Sequence, residues 1–285
     1  MKRTARLLLS EMRVNQWTKN LLVYAAPLFN GSLFHSEDFM LTSLTFFAFS
    51  MTASGIYIIN DIYDLHKDRL NPRKKSRPIA AGTLAMSSAL VCSAVCMLLG
   101  LGAALAVNTS CFGLLVSYLV VNILYTLKLK RAVIIDVMII AYGFVVRAVA
   151  GAAASGVKMT SWFVLCVMFL SLFLALGKRR CELLELTESV IPEGREVLKH
   201  YSLELLDHMI NVVTSALIMC YALFTADNRE MFFTIPLVLY GVFYYLYVIH
   251  VKHGGGSPDE ELYREKPILL TAVMYVICII FIRSV

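Results

Sequence analysis

The densest chemistry in the sequence is Asn60-Asp61-Ile62-Tyr63-Asp64-Leu65-His66-Lys67-Asp68. On a helix Asp61, Asp64 and Asp68 fall at i, i+3 and i+7 and share one face, with Asn60 one turn below Asp64. Three carboxylates on one stripe repel each other, and at the end of an apolar helix water screens them poorly. A cation is called for. Mg²⁺ suits the set, because it takes carboxylate and water oxygens and typically bridges one or two carboxylates to substrate phosphates. A stripe of carboxylates without histidine ligands argues against zinc. The competing reading is a solvated helix end partly neutralised by Lys67 and Arg69. The apolar flanks, which hold the stripe at a membrane face, favour the metal.

A metal-bound phosphate still carries negative charge. Cations that could meet it are Lys74, Lys75, Arg77, Lys128, Lys130, Arg131, Lys178, Arg179 and Arg180. Any one of these could instead serve topology or contact anionic headgroups. Lys178-Arg179-Arg180 is the most specific group, since it ends an apolar run and arginine can clamp phosphate oxygens with two parallel bonds. Tyr125 and Lys128, one turn apart, point toward the same mouth. Gln16, Trp17, Lys19 and Asn20 form a polar start to the first apolar run, where Trp17 reads as an interfacial anchor. Asp136 and Arg147 lie inside another apolar run. Ionisable residues at such depth usually face a bundle interior and mark a substrate path, the alternative being a structural pair with another helix.

The elements that must position these residues are membrane helices. Of the 285 residues 59% are hydrophobic and 16% charged, well below the quarter typical of soluble domains. Mean hydropathy is +0.71. An all-α, polytopic membrane protein follows. Nine spans are expected, near residues 17–35, 39–62, 86–107, 110–127, 133–155, 160–177, 203–225, 231–250 and 267–284. Net charge +6 does not signal nucleic acid, because the basic residues sit in short loops between apolar runs. The seven cysteines lie mostly in apolar runs without disulfide or zinc spacing. Walker, Rossmann and Gly-x-Ser-x-Gly patterns are missing from the sequence, and no cleavable signal peptide is visible.

Lysine and arginine divide 22 against three between alternate loops. The even-numbered loops and the N-terminus are therefore expected in the cytoplasm and the C-terminus outside. One catalytic domain, residues 1–285, is expected, with cap loops at about 64–85, 128–132 and 178–202 on the cytoplasmic face. Self-association into a homo-oligomer stays open.

The chain resembles the UbiA superfamily of intramembrane prenyltransferases over nearly its whole length. The resemblance is carried by Asn60-Asp61-x-x-Asp64-x-x-x-Asp68, Lys75-x-Arg77-Pro78, Gly82 and Tyr125-x-x-Lys128. It implies nine helices around a central cavity, with the active site capped on the cytoplasmic side. Aromatic prenyltransferases of this superfamily carry a second Asp-rich motif after helix six. Here that loop begins Leu176-Gly177-Lys178-Arg179-Arg180-Cys181-Glu182-Leu183, without an Asp triplet. Gly-Lys-Arg-x-x-Glu-Leu is similar to the decaprenyl-phosphate phosphoribosyltransferase branch instead. Gln16-Trp17-Thr18-Lys19-Asn20, Asp136-Val137, Arg147-Ala148-Val149-Ala150-Gly151 and Pro258-Asp259-Glu260-Glu261-Leu262 are similar to that branch too.

That resemblance implies Mg²⁺-dependent transfer of a 5-phosphoribosyl group from phosphoribosyl diphosphate to a polyprenyl phosphate in a bacterial inner membrane. The expected roles are Mg²⁺ binding for Asp61, Asp64 and Asp68, and orientation of the diphosphate or a ligand carboxylate for Asn60. Lys178, Arg179 and Arg180 would bind phosphate, and Glu182 a ribose hydroxyl or an arginine. Lys19, Arg77, Tyr125, Lys128 and Lys130 would line the polar mouth, and Asp136 and Arg147 the substrate path. Two rivals stand beside it: a prenyltransferase using a prenyl diphosphate donor and an aromatic or other acceptor, and a non-enzymatic membrane carrier.

Overall fold

A computed structural model describes residues 2–72, 74–188, 196–227 and 229–284. Arg73 and the turn Pro192-Glu193-Gly194 with Arg195 lie outside the described residues, as do the side chains of Pro258, Asp259 and Leu262. Among the described residues the secondary structure is entirely helical. The α-helices are α1 (Lys2–Glu11), α2 (Ala25–Asn30), α3 (Ser36–Tyr63), α4 (Leu65–Leu70), α5 (Met86–Val107), α6 (Thr109–Leu127), α7 (Ile135–Ala154), α8 (Ser161–Glu188), α9 (Leu203–Asp227), α10 (Ile235–His250), α11 (Pro258–Arg264) and α12 (Lys266–Ser284). Eight helical stretches are long and apolar enough to cross a membrane, and they correspond to the second to ninth expected spans. This is an integral membrane protein. Bulky apolar side chains such as Leu98, Val212 and Phe281 point outward, as lipid-facing positions must.

The first expected span, 17–35, differs. It is not one helix but a 3₁₀ segment, Val14–Tyr24, followed by α2, a turn at Gly31 and a second 3₁₀ turn, Ser32–Phe34. Its polar residues bond sideways to α3: Trp17 Nε1 donates to Ser54 Oγ (3.0 Å), Asn20 Nδ2 to Ser50 Oγ (3.0 Å) and Tyr24 Oη to Ser43 Oγ (3.0 Å). Seven residues at about 2.0 Å rise match eleven at about 1.5 Å, so the tighter helix keeps pace with α3 as it runs antiparallel to it. Trp17 is thereby tied into the bundle, not placed as a free interfacial anchor.

Helices in lipid gain little from the hydrophobic effect and associate through close packing and polar ties. Gly151 on α7 shows how close: a Cβ there would lie 1.7 Å from the Val23 carbonyl oxygen of the 3₁₀ segment. Gly100 on α5 does the same for α3, where a Cβ would lie 2.2 Å from Thr52 Oγ1. Among the described residues four apolar clusters result, two of which meet along α7. One joins Val23, Phe49, Leu115, Tyr118, Val146 and Ala150. The other joins Phe173, Leu176, Leu206, Ile210, Tyr245 and Ile249 to the start of α7 at Val137 and Ala141. Helix α7 belongs to both and connects the two halves.

Candidate active site

The acidic stripe is not one uninterrupted helix. α3 stops at Tyr63, Asp64 occupies the junction (φ −90°, ψ 10°), and α4 resumes at Leu65. Asp61 and Asp68 therefore converge. Both accept from the same nitrogen of Arg77, Nη1, at 3.1 and 2.5 Å. Asp64 turns away and receives Lys130 Nζ on both oxygens, at 2.6 and 2.7 Å. Lys130 also lies over the Tyr63 ring, 5.0 Å from its centre. Lys74 Nζ stands 3.6 Å from Asp68, and Asn60 is half-buried beside Asp61.

Among the described residues no three His, Cys, Asp or Glu side chains stand close enough to hold one ion. Asp61 and Asp68 nevertheless address a single point, marked by a guanidinium nitrogen. Two carboxylates are the number that Mg²⁺ commonly takes beside water and phosphate oxygens. The donor set fits that ion.

Arg13 had no sequence signal beyond its charge. It enters from the N-terminal side, pairing with Asp61 and lying 5.2 Å from the centre of the Tyr57 ring. Its backbone is left-handed (φ 50°, ψ 52°), an uncommon conformation for a residue other than glycine. Glu11, two residues earlier, is buried and accepts from the Ile79 backbone N–H at 2.7 Å. Burial, reinforced by the nearby Asp61 charge, pushes the Glu11 carboxyl up to about 7 despite that bond.

The basic half is built on α8. Arg179 is 0% exposed. Its Nε donates to Asp136 Oδ2 and its Nη1 to Glu182 Oε2, both at 2.7 Å. Its remaining nitrogen, Nη2, meets no hydrogen-bond partner among the described residues. Asp136 is equally buried and also accepts from Tyr201 Oη at 2.9 Å, while that hydroxyl accepts from the Ile134 backbone N–H at 2.7 Å. Burial first, then the Asp136 charge, raises the Tyr201 phenol to about 12. Arg180 is spent elsewhere, on Asp207 at 2.6 Å and the Ile249 carbonyl at 3.0 Å. It ties α8 to α9 and α10.

The end of α6 bridges the halves. Tyr63 Oη donates to the Leu127 carbonyl at 3.2 Å, and Tyr125 is an electrostatic neighbour of Arg179. Lys128 is exposed at that helix end, while Lys178 and Lys19 are half-buried. Arg147 is brought to neither half. Deep in α7, it donates to Asn20 Oδ1 (2.6 Å), the Gly143 carbonyl (2.6 Å) and Tyr118 Oη (2.8 Å). A cleft of about 530 Å³ lined by Ala222, Thr225, Arg229, Phe232 and Phe233 lies toward the opposite end of α9 from Asp207, away from these groups. Arg13, Lys74, Tyr201 and Asp207 complete the two halves, and of these the stripe and loop motifs pointed only to Lys74.

Comparison with known proteins shows the family. The chain is 32% identical to the decaprenyl-phosphate phosphoribosyltransferase of Corynebacterium glutamicum, over 96% of this chain and 85% of that one. It is 30% identical to the enzyme of the same name from Mycolicibacterium smegmatis, over 91% and 86%. A solved UbiA homologue from Archaeoglobus fulgidus, bound to GPP and Mg²⁺, superposes with a TM-score of 0.76 at 18% identity, covering 98% of this chain and all of the other. Residues 22–263 match the UbiA prenyltransferase family. The chain belongs to that family and is a transferase.

Proposed function

We propose that the protein transfers a 5-phosphoribosyl group from phosphoribosyl diphosphate to a polyprenyl phosphate, with Mg²⁺ as cofactor. The observation that carries this reading is the basic half. Where a second acidic cluster would be needed to hold a second metal, α8 presents Arg179, locked by Asp136 and Glu182 with one nitrogen, Nη2, left over. The relatives named as decaprenyl-phosphate phosphoribosyltransferases support it.

In this reading the bond from the ribose anomeric carbon to diphosphate breaks, and a phosphate oxygen of the lipid forms the new bond. The acceptor is already an anion, so no strong general base is required. Bound Mg²⁺ would neutralise the leaving diphosphate. Asp61 and Asp68 would hold it, joined by Asp64 once Lys130 passes to the diphosphate, with Asn60 beside them. Arg77 and Lys130 now neutralise carboxylates and stand where the diphosphate would arrive. The Arg179 Nη2 hydrogens are fixed in a dry setting, where an oriented donor stabilises developing charge without reorganising. Lys178, Lys128, Tyr125 and Lys19 complete the polar mouth, and Glu182, which holds Arg179, would bond a ribose hydroxyl. In this reading the site faces the cytoplasm from a bacterial inner membrane, which the excess of lysine and arginine in these loops supports. Residues 1–285 then act as one catalytic domain capped by the loops 64–85, 128–132 and 178–202.

The test is donor choice. Purified protein with Mg²⁺ and polyprenyl phosphate is given labelled phosphoribosyl diphosphate or, with an aromatic acceptor, labelled prenyl diphosphate. Mass spectrometry should find a phosphoribosylated lipid from the first. A prenylated acceptor from the second, with no product from the first, would overturn the reading.

A further inference from the structure

We propose that Arg13 is a counter-ion exchange residue of the donor site: it holds Asp61 until a divalent cation takes that carboxylate, and then passes its guanidinium to a diphosphate oxygen. This rests on the diphosphate reading above and adds a residue and an order of events to it.

Asp61 is buried to 2% exposure and is already claimed by two guanidiniums, Arg13 and Arg77. A cation reaching Asp61 must displace at least one of them. Arg77 Nη1 stands at the point between Asp61 and Asp68 that the cation would take, so it withdraws as well. Arg13 Nη2 donates to both Asp61 oxygens, so a cation on either oxygen loosens it, and among the described residues it bonds no other carboxylate. It can move, because its side chain is 24% exposed and opens to the mouth. Its backbone cannot travel far. The Glu11 carboxylate is fastened to the Ile79 N–H, the Met12 carbonyl accepts from Ser54 Oγ at 2.8 Å, and Trp17 is bonded to Ser54. The released guanidinium thus swings over the Tyr57 ring on a fixed pivot.

The pivot has its own signature. Arg13 is left-handed between α1 and an eleven-residue 3₁₀ segment. Runs of 3₁₀ helix beyond three or four residues are uncommon and often mark a hinge. Glu11 fastens the pivot two residues beyond Arg77, so the arm and the Arg77 loop share one frame. Electrostatics supplies the coupling. A divalent cation on Asp61 puts two positive centres side by side, and only an arriving anion relieves them. Metal and diphosphate should therefore bind synergistically through Arg13, whose planar fork matches phosphate oxygens.

The experiment uses the full-length protein in nanodiscs and calorimetric titration of Mg²⁺ alone, then of inorganic diphosphate at saturating Mg²⁺. Wild type should bind diphosphate only with Mg²⁺ present. Arg13→Ala should bind Mg²⁺ alone more tightly, having lost its competitor, yet bind Mg²⁺-diphosphate roughly tenfold more weakly. Arg13→Lys should fall between them for diphosphate, and it serves also if the alanine variant fails to fold. A merely structural ion pair moves both affinities the same way or neither. Either result would overturn the proposal while wild-type Mg²⁺-diphosphate binding kept the site reading intact. Absence of that wild-type binding would sink both.

Discussion

The two halves of the site are built on opposite plans. In the acidic half every carboxylate is held by a cation from a different segment: Arg13 from the N-terminal arm, Lys74 and Arg77 from the loop after α4, Lys130 from the turn after α6. These cations are partly exposed, Arg77 by 27%. In the basic half the arginine and its carboxylate are both fully buried, and a tyrosine locks the carboxylate to the backbone. The first arrangement can trade partners when ligands arrive. The second is fixed in advance and keeps one donor in reserve. On the proposed function a diphosphate with its metal comes and goes, so its cradle must be exchangeable; a donor that stabilises developing charge works best when it does not move.

The contrast can be broken by substitution. Asp64→Ala removes a carboxylate whose partner, Lys130, can turn to solvent. Mg²⁺-dependent turnover should fall below detection while the melting temperature in detergent stays near wild type; near-normal turnover would dissolve the acidic half as a site. Asp136→Asn should lower both. It leaves a fully buried guanidinium short of its charge partner, at a cost of about 3–5 kcal/mol, so melting should drop together with activity. Tyr201→Phe sharpens the same point more gently. It leaves Asp136 and the Ile134 N–H each short of one partner, costing about 1–3 kcal/mol, and turnover should fall because Arg179 is less well aimed. The smallest change is expected at Lys252, whose ammonium is raised and whose partner Glu265 is lowered by their exposed mutual hydrogen bond. Lys252→Met should leave melting and turnover unchanged, and a large effect there would show that charge on this face matters beyond the two halves.

Much of the bundle was legible because membrane helices announce themselves by length. Runs such as Met86–Val107 need no long-range information. The segment around Trp17-Thr18-Lys19-Asn20, expected to open the first span, folds as a 3₁₀ run whose side chains are satisfied by serines of α3, at 37 and 30 residues' distance for Trp17 and Asn20. Periodicity cannot see such partners. Asp61, Asp64 and Asp68 were visible as a local pattern, but the break at Asp64 that splits them two against one was not, since nothing in the i, i+3, i+7 spacing marks it. Arg13 and Tyr201 were hidden for the same reason as each other. Arg13 meets Asp61 48 residues on and Tyr201 meets Asp136 65 residues back, and alone they read as a topology charge and an aromatic near a helix start. Lys178-Arg179-Arg180 looked like three equivalent phosphate ligands. Folding separates them, giving Arg180 to Asp207 and leaving only one nitrogen of Arg179 over.

Arg147 has a consequence of a different kind. It sits about 18 Å along α7 from Ile135, enclosed by the Phe49, Tyr118 and Phe144 rings and bonded only to neutral oxygens. Among the described residues no acid balances it. On the proposed function the bundle admits metal ions and phosphates at one end, and such a bundle is at risk of becoming a leak. A permanent positive charge in its low-dielectric depth raises an electrostatic barrier to protons and metal cations, as arginines do in selective pores. The same side chain that fastens the 3₁₀ segment to α6 and α7 thus helps keep a membrane-embedded enzyme electrically tight.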